Sequence, residues 1–338
     1  MIVDKRLLIA AVAALAVFAL PARAQTVARL GVIPVMGAAP LFVAQREGWL
    51  GERGLKLAIT TFESGPNMIQ ALASGTIDIY VAGVAPLAVA RSRGIDVRVV
   101  AATAVGENVF VGSPKLSALF KPGVSGAEAF RAFRVASGKP ARLATQPAGS
   151  VPNTTLQYWL REVVKADPAD YEIVPMGIDA TQQAMLAGAM DGASVREPAV
   201  TILQGRNPGI RILALGDDVF PGQPGTVVAV SGTFMTAHPE SVQALVSGLV
   251  KAGALLVATP EKSVPAIVDA LGKGIVEPDV IRRALASKAT VFQIDPRAVF
   301  DAARRMQTYQ VKLGSLEKDV TFDGLFDYRF YEAALAGK

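Results

Sequence analysis

Arg196-Glu197-Pro198 sets a guanidinium beside a carboxylate at the end of a short apolar run, Ala193 to Val195. A guanidinium is a planar fork that grips a carboxylate, sulfonate or phosphonate through two parallel hydrogen bonds. The same side chain can equally pin its strand end by pairing with Glu197 or another carboxylate. A second polar set lies in Gly149-Ser150-Val151-Pro152-Asn153-Thr154, where an apolar piece runs into a loop and then a helical pattern. Ser150 is a candidate N-cap, Pro152 suits a first turn, and Asn153 and Thr154 add hydrogen-bonding side chains. The first turn of a helix leaves backbone N–H groups without partners, so such a loop either holds an anion or caps itself. Glu63-Ser64-Gly65-Pro66-Asn67 repeats the design, with Ser64 or Asn67 able to donate.

Other chemistries are poorly served. The 338 residues contain no cysteine, which removes disulfides, thiolate nucleophiles and thiolate metal sites. The single histidine, His238, precedes Pro239-Glu240 and reads as a helix boundary. A Ser-His-Asp triad or a zinc site would have to be built around that one residue. Gly123-Val124-Ser125-Gly126-Ala127 misses the nucleophile elbow by its last residue, and no Lys stands at Walker spacing. No cofactor or metal is expected. Of the formal net charge of +5, Lys5, Arg6 and Arg23 against Asp4 account for two, leaving about +3 on the rest. With aromatics at 7% and no basic stripe, nucleic-acid binding is not expected either.

The elements that position these residues alternate. Val27 to Pro34, Leu55 to Thr60 and Ile77 to Val81 read as strands, each followed by a helical pattern. Ligands of such sheets bind at the carboxyl ends of strands, which brings the loops 35–40, 63–67 and 83–86 onto one rim. A second α/β unit opens at Ala141 to Thr145 after a Pro/Gly-punctuated stretch, 112 to 140. Tyr171 to Val174 and Ala193 to Val195 are its further strands. Ala73-Ser74-Gly75-Thr76-Ile77-Asp78 in the first half is echoed by Ala187-Gly188-Ala189-Met190-Asp191-Gly192 in the second. Thr226 to Val230 is a returning extended run, and the chain from Pro239 on is mostly helical, with no run there that resembles a membrane helix.

At the N-terminus, Lys5 and Arg6 precede an apolar run, Leu7 to Leu20, and Ala22-Arg23-Ala24 is an A-x-A cleavage pattern. A signal peptide over residues 1–24, cleaved after Ala24, is expected, a retained anchor being the alternative.

On these motifs the chain resembles the periplasmic substrate-binding proteins of ABC importers in the nitrate/sulfonate/taurine (NMT1/THI5-like) family. Gly48-Trp49-Leu50, Gly54-Leu55-Lys56-Leu57, Ser64-Gly65-Pro66 and Gly83-Val84-Ala85-Pro86 carry the resemblance in the first half. Gly149-Ser150, Ala187 to Gly192 and Glu197-Pro198 carry it in the second. It implies an α/β, type II periplasmic-binding-protein fold: two α/β lobes, a ligand cleft and a two-segment hinge. The lobes fall at 25–110 with 215–338, and at 111–214. The implied ligand-binding set is Met36, Gly37, Ser64, Gly65, Asn67, Gly83, Ala85, Gly149, Ser150, Asn153, Thr154, Arg196 and Glu197. Arg196 stands where many members are aromatic, which unsettles transfer of any one substrate. Glu197 could complement a ligand ammonium or merely hold Arg196. The resemblance implies a monomeric, non-enzymatic periplasmic protein. It hands a small anionic or zwitterionic solute to a membrane permease driven by a cytoplasmic ATPase. A heterocyclic ligand such as a pyrimidine precursor, or a periplasmic sensing role, are the alternatives.

Overall fold

The computed structural model describes residues 25–272 and 276–337; the expected signal peptide lies outside them. Two five-stranded sheets are each covered by helices on both faces. The first has the order β2-β1-β3-β11-β4, built from β1 (Thr26–Val32), β2 (Leu55–Thr61), β3 (Ile79–Gly83), β4 (Val97–Ala102) and β11 (Thr226–Ser231). The second has the order β10-β6-β9-β7-β8, from β6 (Val109–Gly112), β7 (Ala141–Thr145), β8 (Tyr171–Pro175), β9 (Gly192–Val195) and β10 (Arg211–Ala214). Parallel strands buried on both faces need near-continuous apolar sequence. β3 and β9 are accordingly buried throughout.

The sheets share one plan. In each, a central strand pairs in parallel with two neighbours, and the fourth strand runs antiparallel. That fourth strand always enters from the other half of the chain: β6 follows β4, and β11 follows β10. β6 begins at Val109, two residues before the boundary expected after 110. The two crossing segments are stitched together. Thr103 N–H donates to the Thr226 carbonyl at 2.9 Å and Gly106 N–H to the Gln223 carbonyl at 2.9 Å. The Gln223 side chain accepts from the Asn108 N–H at 2.7 Å and donates to the Asn108 and Gly216 carbonyls, both at 3.0 Å. A short strand, β5 (Ala104–Val105), adds β12 (Val291–Phe292) to this join.

The longer helices are α1 (Ala39–Arg46), α2 (Gly65–Ala73), α3 (Ala85–Ser92), α4 (Gly126–Ser137), α5 (Val151–Tyr158), α6 (Ile178–Leu186), α7 (Ala199–Arg206), α8 (Pro239–Ala258), α9 (Pro278–Ala286), α10 (Phe300–Lys312) and α11 (Arg329–Ala336). Helix α4 lies inside the Pro/Gly-punctuated stretch 112–140, where no element was expected. Its signal was Ser125 with Glu128 three residues on, a capping box whose two halves are both formed. Helix α8 corrects the expectation that no late run resembles a membrane helix, since its eighteen-residue window has mean hydropathy 1.6. It is a core helix, 61% of that window being buried inside the fold. Trp159, with its ring centroid 4.6 Å from that of Phe110 and 6.1 Å from that of Phe130, belongs to the second unit's core.

Candidate functional site

The strand ends of the two sheets face each other across a seam. From the first unit, the β1 loop brings Met36, whose N–H donates to the Glu197 carbonyl at 2.9 Å. Gly37 is there for want of space, because a Cβ would overlap Glu107 Oε1 and stand 2.7 Å from Thr226 Oγ1. In the β2 loop, Ser64 caps α2 by accepting from the Asn67 N–H at 3.4 Å, and Glu63 accepts from the Asp179 N–H at 3.3 Å across the seam. At the β3 end, Tyr80 donates its hydroxyl to the Gly83 carbonyl at 2.8 Å. A Cβ on Gly83 would come within 2.6 Å of Val151 Cγ2 on the opposite side.

In the second unit, Ser150 caps α5 and accepts from the Asn153 N–H at 3.3 Å. The side chain of Asn153 accepts from Gln157 at 2.8 Å, and Thr154 donates to the Ser150 carbonyl at 2.8 Å. The hydrogen bonds of Asn153 and Thr154 are therefore made within their own helix, and both are buried. Gln310, fully buried on α10, ties the two rims by donating to the Ala85 carbonyl at 3.4 Å and the Gly149 carbonyl at 3.3 Å.

Arg196 is the charged centre of this seam. It is 3% exposed, and its Nε donates to Asn108 Oδ1 at 2.8 Å. Its Nη1 has no partner, and its Nη2 lies beside Gly83. Burial pushes its pKa down, opposed by attraction to Glu107 and Tyr80. The pairing with Glu197 that would have pinned the strand end is not made. The Glu197 carboxylate turns away and accepts from the Thr201 N–H at 3.0 Å, capping α7. Burial raises the Glu197 pKa above the usual range, countered by hydrogen bonds from Ser287 and Thr201 and by Arg283.

An open cleft of about 830 Å³ borders the seam, within the size range of small-molecule sites. Arg196 and Glu197 are the expected site residues that line it, with Pro34 and Val35 from the first unit and Asp179 and Arg283 on its flanks. Met36, Gly37, Gly83, Ala85, Gly149 and Ser150 lie along the seam beside it, while Gly65 packs on Tyr80 and Pro86 of its own lobe. Asn67 is exposed and lines neither. Sequence reasoning missed Tyr80, Glu107, Asn108, Gln223 and Gln310. Their signal was polarity in the wrong place: Glu107-Asn108 interrupts two apolar strand patterns, and Gln223 sits alone in a Pro/Gly loop.

A model of the NMT1-like family matches residues 22–268. The taurine-binding periplasmic protein of Escherichia coli (strain K12) is 30% identical over 257 residues, 74% of this chain and 72% of the relative. The nitrate import ATP-binding protein NrtC of Synechococcus elongatus is 28% identical over 239 residues, 70% of this chain but 36% of that relative, so the chain spans about a third of its length. Among solved structures, the periplasmic nitrate-binding protein NrtA from Synechocystis PCC 6803 superposes with a TM-score of 0.76 at 15% identity. It covers 93% of this chain and 89% of its own. The doubled sheet plan, the crossing strands and these matches agree: the chain belongs to the NMT1-like family and has its two-lobed binding-protein fold.

Proposed function

We propose that this protein is the solute-binding component of an ABC importer. In this reading it is exported to the periplasm, cleaved after Ala24, and traps a small anionic or zwitterionic organic solute between its lobes without altering it. The lobes comprise residues 25–110 with 215–338, and 111–214. As a monomer it then delivers the solute to a membrane permease coupled to a cytoplasmic ATPase. The observation that carries the reading is Arg196: a buried guanidinium with an unpartnered Nη1, standing where rim loops of both lobes meet at the border of a cleft. A buried, under-bonded cation is costly unless something of opposite charge completes it. The taurine-binding relative and the nitrate-binding structural neighbour support the solute class. Tyr158 and Trp159 are engaged in aromatic packing, which leaves a stacked heterocycle without their rings.

The test is thermal unfolding of residues 25–338 against sulfonates, carboxylates, nitrate, bicarbonate, amino-acid zwitterions and pyrimidines. A solute at a thousandfold excess over its Kd stabilises by about 4 kcal/mol, a shift of several degrees. Arg196→Met is expected to weaken its binding by about 30-fold or more, the loss typical of truncating one side of a buried charged contact. A protein stabilised only by an uncharged heterocycle, or an Arg196→Met variant that binds as the parent does, overturns the reading.

A further inference from the structure

Helix α10 is rooted in the first lobe and reaches across to the second. Val299, just before it, and its Ala303 and Met306 are buried together with Leu87 and Val97 of the first lobe. Its last turn lies on α5. The Tyr309 hydroxyl donates to the Gln157 carbonyl at 3.3 Å, and its ring meets that of Tyr158 edge-on at 5.1 Å. Lys312 Nζ pairs with Glu162 at 2.6 Å and stands 5.6 Å over the Tyr309 ring. Beyond Tyr158 the second-lobe helix widens into a π turn, Trp159–Val163, closed by the Val164 N–H on the Trp159 carbonyl at 2.8 Å. Such a turn shifts the helical pairing by one residue, which leaves carbonyls at its start open to outside donors. Gln157 stands next to that junction and Glu162 within the turn, so α10 grips the irregular part of the helix.

None of Gln157, Glu162, Tyr309 and Lys312 lines the cleft. Their contacts join lobe to lobe whatever the cleft holds. A contact made only while the lobes are together favours the closed form, and a solute that is held by closure then binds more tightly. We propose that the last turn of α10 is a latch, in which Tyr309 and Lys312 hold α5 and set, from outside the cleft, how readily the lobes part. Tyr309, 7% exposed, is the stronger half, because its hydrogen bond is shielded from water. The Lys312–Glu162 pair, its side chains 63% and 35% exposed, is the weaker half and is open to screening by salt. The inference depends on the two lobes and not on which solute lies between them, so it stands or falls apart from the reading of Arg196.

The experiment is amide hydrogen exchange of residues 25–338, with no solute added, read at Met36. Its N–H reaches the Glu197 carbonyl across the seam at 2.9 Å and exchanges when the lobes part. The Ile33 N–H on the Val81 carbonyl and the Met176 N–H on the Thr145 carbonyl each stay inside one lobe and serve as references. Tyr309→Phe keeps the ring and removes only the hydroxyl. It is expected to speed exchange at Met36 about 5-fold, the worth of one hydrogen bond, and to leave both references unmoved. Lys312→Glu is expected to speed it about 3-fold at low salt and less at high salt. Adding Glu162→Lys to Lys312→Glu should return the rate to that of wild type, which a merely structural role for either residue would not do. Unchanged exchange at Met36 in Tyr309→Phe and Lys312→Glu overturns the latch. So does equal acceleration at Met36, Ile33 and Met176, which marks a general loss of stability. A wild-type Met36 amide that exchanges as fast as an exposed one also overturns it, because nothing would then be holding the lobes.

Discussion

The two lobes are the same scaffold with different rims. In the first, β1 and β3 pair with a sequence offset of 49, Leu30 opposite Ile79; in the second, β7 and β9 pair with the same offset, Leu143 opposite Gly192. Asp78 and Asp191 occupy equivalent places. Each accepts, at 2.9 Å, from the backbone N–H of an arginine 49 residues earlier, Arg29 or Arg142. At the strand ends the likeness stops. The first lobe's β1 and β3 loops, around Met36-Gly37-Ala38 and Gly83-Val84-Ala85, carry no charge and little polarity. The equivalent loops of the second lobe hold Ser150 and Arg196. One rim supplies shape and close backbone approach and the other supplies charge, while the scaffold beneath is indifferent to either.

The sharpest break of that comparison is at two glycines of the shape-giving rim. Gly37 is hemmed in by Glu107 and Thr226 of the crossing segments, whereas Gly83 is hemmed in by Val151 of the second lobe. Gly37→Ala is therefore expected to destabilise the unliganded protein by about 1–3 kcal/mol, the usual cost of forcing a methyl into filled space. Gly83→Ala is relieved when the lobes part. It should leave unliganded stability nearly unchanged and weaken ligand binding about 10-fold by opposing closure, a cost of about 1.4 kcal/mol. Chemical denaturation and titration of both variants check this. Equal losses of unliganded stability would mean that Gly83 is not a seam residue.

A smaller effect tests whether the charged rim depends on the join between lobes. Gln223 touches neither Arg196 nor the cleft, yet it brackets Asn108, and Asn108 holds the Arg196 Nε. Gln223→Ala is expected to weaken binding about 5-fold, a typical coupling for neighbours in one hydrogen-bond network. In an Arg196→Met background the same change should cost nothing further in affinity. Additive losses in the double variant would show that Gln223 acts on folding alone and does not position the guanidinium.

How legible all this was in the sequence follows from the same division. Ala141 to Thr145 was read to the residue, because an apolar run bounded by a Pro on one side and a polar loop on the other leaves little choice of register. The repeated Asp78 and Asp191 motifs exposed the doubling. Helix α4 was missed within the Pro/Gly-punctuated stretch, although Ser125-x-x-Glu128 announced its start and Ala129, Phe130 and Phe133 mark one buried face. Ser150 was legible as a candidate cap, since capping is a local rule, whereas Ser64, read as a donor to a ligand, caps its own helix in the same way. The partners of Arg196 could not be read, because Asn108 is 88 residues away and arrives only after the chain crosses between lobes. Local patterns specify strands and caps; long-range closure decides which polar groups meet.

The smallest prediction returns to the scaffold, where the lobes should behave alike. Asp78→Ala and Asp191→Ala each delete the acceptor of one backbone N–H, worth about 1 kcal/mol to the fold. Asp78 also takes the guanidinium of Arg29 through Nε at 2.9 Å, whereas Arg142 turns its Nη1 to the Ala189 carbonyl at 3.2 Å. Because Arg29 is half exposed, water screens that extra contact, and it should add no more than about 0.5 kcal/mol. The two variants are thus expected to lose nearly equal stability in urea, Asp78→Ala slightly more, with ligand affinity unmoved in both. Raising the salt concentration should bring them closer still, since the surface attraction is screened and the backbone hydrogen bond is not. A large inequality that salt does not shrink would mean that the two aspartates hold different structures, and that the likeness of the lobes ends below the rims as well as at them.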